Sequence, residues 1–198
     1  MKSYPIWKKS RALGFSLLEN KKEFSRGKKR LTRPGKKRKS SLYALQNMAV
    51  QVTCHLYGLK KKQLKNLFIE LRNRKGDIRE HILTNLESRL GSLVFSSGLV
   101  STRRFARQWI VHGHFLVNGK KINKPNYLVK PGSTIALREK MWNNELIKQQ
   151  LQQNVKTPAY LEVGKEKFNI VYSRYPSPEE AERGIDVASV VEWYNKRI

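Results

Sequence analysis

Between Ser88 and Lys140 the helical spacing of apolar residues gives way to strand-like alternation, and glycine or proline marks each change. Ile82, Leu83, Leu86, Leu90, Leu93 and Val94 recur three and four apart, which predicts one amphipathic helix from Ile82 to about Ser96, stopped at Gly98. Ser101 or Thr102 is the expected N-cap of a second helix, with Ala106, Trp109 and Ile110 on its apolar face. Arg103, Arg104 and Arg107 fall elsewhere on that helix, and Arg103 and Arg107, one turn apart, are expected side by side on a polar face. After Gly113, FLVNGKKIN sets two short extended runs around Asn118-Gly119, a pair that accepts the positive φ angles of a tight hairpin. Pro131-Gly132 then turns the chain into TIALRE, where Ile135 and Leu137 alternate with smaller or polar neighbours as in a half-buried strand. The expected fold class is therefore α+β, two helices plus a small antiparallel sheet. Its arginines gather where free backbone N–H groups also favour a phosphate, and arginine's planar fork can hold two phosphate oxygens at once.

The charge of the chain says what such a platform meets. Its 41 Lys and Arg against 15 Asp and Glu leave a formal charge of +26, which repels itself unless a polyanion neutralises it. The excess is uneven: residues 1–40 hold 15 basic and 2 acidic side chains, whereas residues 141–198 hold 8 of each. A nucleic acid is expected against the first two thirds. Within it, SRGKKRLTRPGKKRKSS is too poor in apolar residues to build a core and reads as an arm that orders on RNA. No apolar run approaches the roughly 20 residues of a membrane-spanning helix, so no membrane partner is expected. Cys54 stands alone, and His55, His81, His112 and His114 do not fall into ligand spacing with it, so no metal and no cofactor are expected, and a reducing compartment fits.

The flanking segments read as helices and a hairpin. Leu42, Leu45, Val52 and Leu56 predict a helix over Leu42–Leu56 ended by Gly58, and Leu64, Leu67, Phe68 and Leu71 predict a second over Lys61–Arg74 ended by Gly76. Cys54 and His55 are read as packing residues. TPAYLEVGKEKFNIVYSRYP reads as a hairpin turning near Gly164-Lys165, and the chain closes on a helix carrying Val187, Val190, Val191 and Tyr194. Glu179, Glu180, Glu182 and Asp186 read either as an acidic patch or as acids placed at helix starts.

The pattern LESRLGSLVFSSGLVSTRRFARQWIVHGHFLVNGKKINKPNYLVKPGSTIALREK resembles the S-four RNA-binding domain. KKSRALGFSLLENKKEFSRGKKR, RPGKKRKSSLYALQ, HLYGLKKKQLKNLF and VVEWYNKRI extend the likeness over most of the chain to the bacterial-type small-subunit ribosomal protein four family. Gly91 stands where that family commonly has an aspartate, and Ser96 where it has an arginine. The resemblance implies a basic N-terminal arm over 1–40, a helical domain over 41–81 completed by about 180–198, an inserted S-four domain over 82–150, and a C-terminal hairpin and helix over 151–198 that packs back. It implies a structural constituent of the small ribosomal subunit, a primary binder of its ribosomal RNA that nucleates the subunit body. It also implies a place near the pore where messenger RNA enters, beside ribosomal proteins five and three, with an influence on decoding fidelity.

Carried over by position, Lys36, Lys37, Arg38 and Lys39 match the basic segment associated with that pore. Arg103, Arg104, Arg107, His112, His114, Asn118, Lys120 and Lys121 match the domain's RNA-facing motif, and Lys8, Lys9, Arg11, Lys28, Lys29, Arg30 and Lys130 join the RNA-binding set. Three arginines together are expected to matter more for RNA than for folding. No homo-oligomer is expected, and the location implied is a ribosome in a bacterial cytoplasm, with an organelle ribosome as the alternative. An enzyme is not expected, since Asp77 and Asp186, the only aspartates, lack a catalytic setting. The rival reading is a diverged S-four-domain regulator or assembly factor that is not stably part of the ribosome.

Overall fold

The computed structural model describes residues 6–17, 41–145, 147, 157–164, 168–181 and 184–198. In chain order its helices are α1 (Ile6–Leu13), α2 (Leu42–Leu56), α3 (Lys61–Arg72), α4 (Ile78–Glu87), α5 (Leu90–Ser96), α6 (Arg103–Val111), α7 (Pro178–Ala181) and α8 (Val187–Asn195). The strands are β1 (Phe115–Val117), β2 (Lys120–Lys121), β3 (Ser133–Leu137), β4 (Leu161–Gly164) and β5 (Asn169–Tyr172). The chain divides into two units, one made of Met1–Arg79 with Gly184–Ile198 and the other of Glu80–Arg183.

In the first unit, α2 begins where the Ser41 hydroxyl accepts from the Ala44 N–H and ends where Gly58 takes φ +64°. Leu64, Leu67, Phe68 and Leu71 are all buried, as their spacing predicts. Against them packs α8, capped by Asp186, whose carboxylate accepts from the Ser189 N–H at 2.9 Å. The Phe68 and Tyr194 rings lie 5.3 Å apart, and the Tyr194 hydroxyl donates to the Lys61 carbonyl. On the other side of α8, the Gln46 amide donates to Glu192 at 2.7 Å. Leu42 and Leu45 depart from expectation, for both are exposed. The first turn of α2 meets the end of α8 through Tyr43 instead, whose ring centroid lies 5.0 Å from that of Trp193 and 5.1 Å from the Arg197 guanidinium. Cys54 is buried among these helices, and burial pushes its thiol pKa up to about 11, which fits a packing residue.

The second unit corrects the single helix expected from Ile82 to Ser96. Its apolar stripe is buried throughout, yet the helix breaks at Arg89, which takes the extended angles φ −74° and ψ 140°. The break has a distant cause. The segment 127–129 reaches in and bonds the backbone there: Val129 N–H donates to the Ser88 carbonyl, and Leu90 N–H donates to the Tyr127 carbonyl. Those bonds replace helical ones, so the backbone groups remain satisfied while the chain turns.

The hairpin forms as expected, with Asn118 at φ +49° and Gly119 at φ +77° between β1 and β2. β3 alternates strictly, with Ser133, Ile135 and Leu137 buried. The five strands run in the order β2-β1-β3-β5-β4, all antiparallel. Because β5 pairs with β3, with Ile135 opposite Ile170, the late hairpin is part of this sheet. The compact unit accordingly runs past the boundary expected at residue 150, to Arg183. Sheet and helices share one apolar core in which Leu90, Leu93, Ile110, Phe115, Ile135, Ile170, Tyr160 and Tyr172 are fully or almost fully buried. Tyr172 also shares a hydrogen bond with the Ser88 hydroxyl at 2.8 Å, and burial pushes its phenol pKa up to about 12. Of the late acids, Glu180 forms an ion pair with Arg174 at 2.7 Å and Asp186 caps α8, so both serve local structure. Glu182 lies outside the described residues.

Candidate nucleic-acid interface

α6 sets the geometry of the basic rim. Thr102 caps it, its hydroxyl accepting from the Phe105 N–H at 3.2 Å. Ala106, Trp109 and Ile110 turn into the core, and the Trp109 ring packs on Phe105 at a tilt of 59°, with ring centroids 4.6 Å apart. Anchored on that side, the helix exposes Arg104 and leaves Arg107 half-buried.

Arg103 departs from the expectation of a polar face. Its side chain is only 11% exposed, and its guanidinium forms an ion pair with the fully buried Glu87 at 3.3 Å. It also donates to the Ser92 hydroxyl at 3.0 Å and lies 4.8 Å from the centre of the Phe95 ring. A residue in the first turn of α6 lies against the two preceding helices, and here it ties α4 and α5 to α6. Arg103 is therefore built into the unit, and Arg104 is the fully exposed arginine of α6.

A second group of basic side chains converges at Gly113. The imidazoles of His112 and His114 stack at 5.9 Å with their planes 10° apart, and Trp109 meets His114 edge-on at 5.8 Å. Gly113 takes φ +72°, and a Cβ added there would run into the Lys121 side chain, so this glycine is what lets the lysine lie against the turn. Arg138 completes the group, its guanidinium donating to the Gly113 carbonyl at 3.4 Å and its N–H to the His114 carbonyl at 2.9 Å. His114 responds to this setting: burial lowers its pKa below the usual imidazole value, and the neighbouring His112, Arg138 and Lys121 lower it further.

The remaining candidates sort by location. Lys120, Lys121 and Lys130 are exposed at turns of the sheet. Asn118 is occupied in building its turn, its amide oxygen accepting from the Thr134 N–H at 2.9 Å and its amide nitrogen donating to Ser133. Lys8 is exposed on α1, with Lys9 and Arg11 half-buried, all three in the first unit. Lys28, Lys29, Arg30, Lys36, Lys37, Arg38 and Lys39 lie outside the described residues. Sequence reasoning missed Arg138. Its signal was its parity: it follows Leu137 on β3 and so shares the side of Thr134 and Ala136 that is not buried in the core.

Helices packed on a small antiparallel sheet, with outward cations on α6 and around Gly113, define an RNA-binding domain of the S4 class. The S4 domain family model matches residues 88–135, which span α5, α6 and β1 to the first half of β3. Relatives cover the rest of the chain. A small ribosomal subunit protein uS4 of Ureaplasma urealyticum is 47% identical over 196 residues, 96% of each chain. The proteins of that name from Mesoplasma florum and Geobacillus kaustophilus are each 42% identical, over 97% of this chain and 96% and 97% of their own. At that identity and coverage, the chain belongs to the uS4 family of small ribosomal subunit proteins.

Proposed function

We propose that this protein is a structural constituent of the small ribosomal subunit and works by binding ribosomal RNA, with no chemical step of its own. The observation that carries this reading is the near full-length similarity to bacterial proteins named for that subunit. The exposed Arg104, Lys120, Lys121 and Lys130 and the cations around Gly113 supply the means. Each neutralised phosphate releases condensed counterions, so affinity comes mainly from the RNA backbone, while selectivity follows the shape of the RNA. If on the order of ten phosphates are neutralised, affinity falls by several powers of ten between low and moderate salt.

The finer reading places the protein early in assembly, organising the subunit body, near the pore where messenger RNA enters, beside ribosomal proteins five and three, and with an effect on decoding fidelity. The run of cations from Lys36 to Lys39 supports the contact at the pore. The bacterial source of the relatives supports a ribosome in a bacterial cytoplasm.

The test is co-sedimentation with small subunits after a high-salt wash, followed by sequencing of the RNA crosslinked to the protein. Retention with crosslinks to small-subunit ribosomal RNA is the expected result. Loss from washed subunits would sink this reading and favour a regulator or assembly factor.

A further inference from the structure

The register of the sheet places one histidine between two fixed cations. Phe115 of β1 pairs with Leu137 of β3, and both turn into the core. The ladder runs one step further, with the Arg138 N–H donating to the His114 carbonyl at 2.9 Å. His114 and Arg138 therefore stand directly opposite each other on the side away from the core. Lys121 reaches the same side from the other flank, since it pairs with Leu116, two residues beyond His114, and its stem lies against Gly113. His112, just past the end of α6, stacks on His114 at 5.9 Å. Among the described residues no carboxylate pairs with any of these four side chains.

Like charges directly opposite each other destabilise a sheet, so this register favours His114 without its proton. Burial acts in the same direction, and His112, Arg138 and Lys121 add to it. Arg138 differs from the other two neighbours in holding the turn as well as facing it, because its guanidinium also donates to the Gly113 carbonyl, at 3.4 Å. It keeps its charge throughout the range in which histidine titrates.

We propose that Arg138 is a positioning residue of the RNA site: it holds the 112–114 turn from the opposite strand and keeps His114 neutral until a phosphate comes beside it. The inference rests on the RNA-binding reading above, and it gives Arg138 a role through His114. A phosphate offsets the Arg138 charge, the imidazole takes a proton from the buffer, and the charged ring can donate from both nitrogens. RNA affinity at fixed salt therefore climbs as the pH falls and levels off where His114 of the free protein is already charged. Arg138 sets that pH.

The test replaces Arg138 by Gln in the full chain, with Arg138→Lys as the variant that keeps the charge. In the free protein, the imidazole signals of His114, assigned with the help of His114→Gln, are followed by NMR over about pH 5 to 8. Arg138→Gln moves the His114 midpoint to higher pH, and Arg138→Lys leaves it near that of the unmodified protein. Titration of naked small-subunit ribosomal RNA over the same range gives the second readout, in which the affinity of the Gln variant levels off at a correspondingly higher pH. A role in folding alone would lower the melting temperature and move neither midpoint. An unmoved His114 midpoint in Arg138→Gln, with the unmodified protein binding RNA normally, overturns this inference alone. A uniform loss of affinity at every pH, with the level-off unmoved, also overturns it and makes Arg138 a phosphate contact in its own right. Should Arg138→Gln fail to fold, Arg138→Met, which keeps an apolar stem, carries the same measurements. If the unmodified protein binds no ribosomal RNA, the functional reading falls and this inference with it.

Discussion

Replacing Arg103 by Ala separates an arginine that holds the fold from those that meet RNA. The substitution removes the ion pair with Glu87, the bond to the Ser92 hydroxyl and the cation–π contact with Phe95, and strands a carboxylate whose side chain is 0% exposed. Breaking one side of a buried pair costs about 3–5 kcal/mol, because the surviving charge keeps its desolvation penalty without its partner. For a unit of this size, at about 4 °C per kcal/mol, the melting temperature should fall on the order of 12–20 °C. Arg104→Ala, at an exposed position on the same helix, should stay within about 0.5 kcal/mol of the parent. The double variant Glu87→Leu, Arg103→Met should recover most of the loss, since it removes both charges and keeps the volume. Urea and thermal melts followed by circular dichroism measure all three, and RNA titrations are run well below each midpoint. An Arg103→Ala protein that melts with the parent but has lost its RNA would refute the reasoning and return this guanidinium to the interface.

Trp109→Ala should destabilise the S4 unit by about 3–5 kcal/mol while leaving RNA binding largely intact at temperatures where the unit is folded, because the ring is 6% exposed; a normal melt with lost binding would show the ring faces the RNA. Asn118→Ala should cost about 2 kcal/mol, combining the lost bond to Thr134 with a side chain forced to φ +49°, and Asn118→Gly about half that; equal stability in urea for both variants and the parent would remove Asn118 from the turn's structure. His114, whose pKa is lowered in the folded state, binds fewer protons folded than unfolded near its ordinary value. Its contribution to stability is therefore present above about pH 6.5 and is lost as the pH falls below that. A phosphate beside it reverses the preference, so RNA affinity at fixed salt should rise as the pH drops from 7.5 to 6. This dependence should vanish in His112→Gln, His114→Gln, and its survival in that variant would assign it elsewhere.

Local chemistry was legible in the sequence wherever one short stretch decides the outcome. Thr102 caps α6, Asn118-Gly119 makes its turn, and Leu64, Leu67, Phe68 and Leu71 are buried, each from signals within a few residues. The break at Arg89 was not legible, since the apolar period runs through it unchanged and the residues that impose it lie at 127–129. The pairing of β5 with β3 was hidden for the same reason, because nothing within either strand names its partner. Arg103 and Arg104 look alike as letters. Their difference comes from Glu87, whose buried position emerges only once α4 and α6 are packed.

One feature of the fold also sets an order in time. The S4 unit is continuous from Glu80 to Arg183, whereas the helical unit needs α8, which begins more than a hundred residues after α3 ends. As the chain is synthesised, at roughly 5–20 residues per second, α2 and α3 wait on the order of ten seconds with Leu64, Phe68 and Leu71 lacking the partner that covers them. The S4 unit can close in that interval. The domain that carries the family's signature is thus free to find RNA before its neighbour exists as a folded body, and α8 is the latch that completes the packing of α2 and α3.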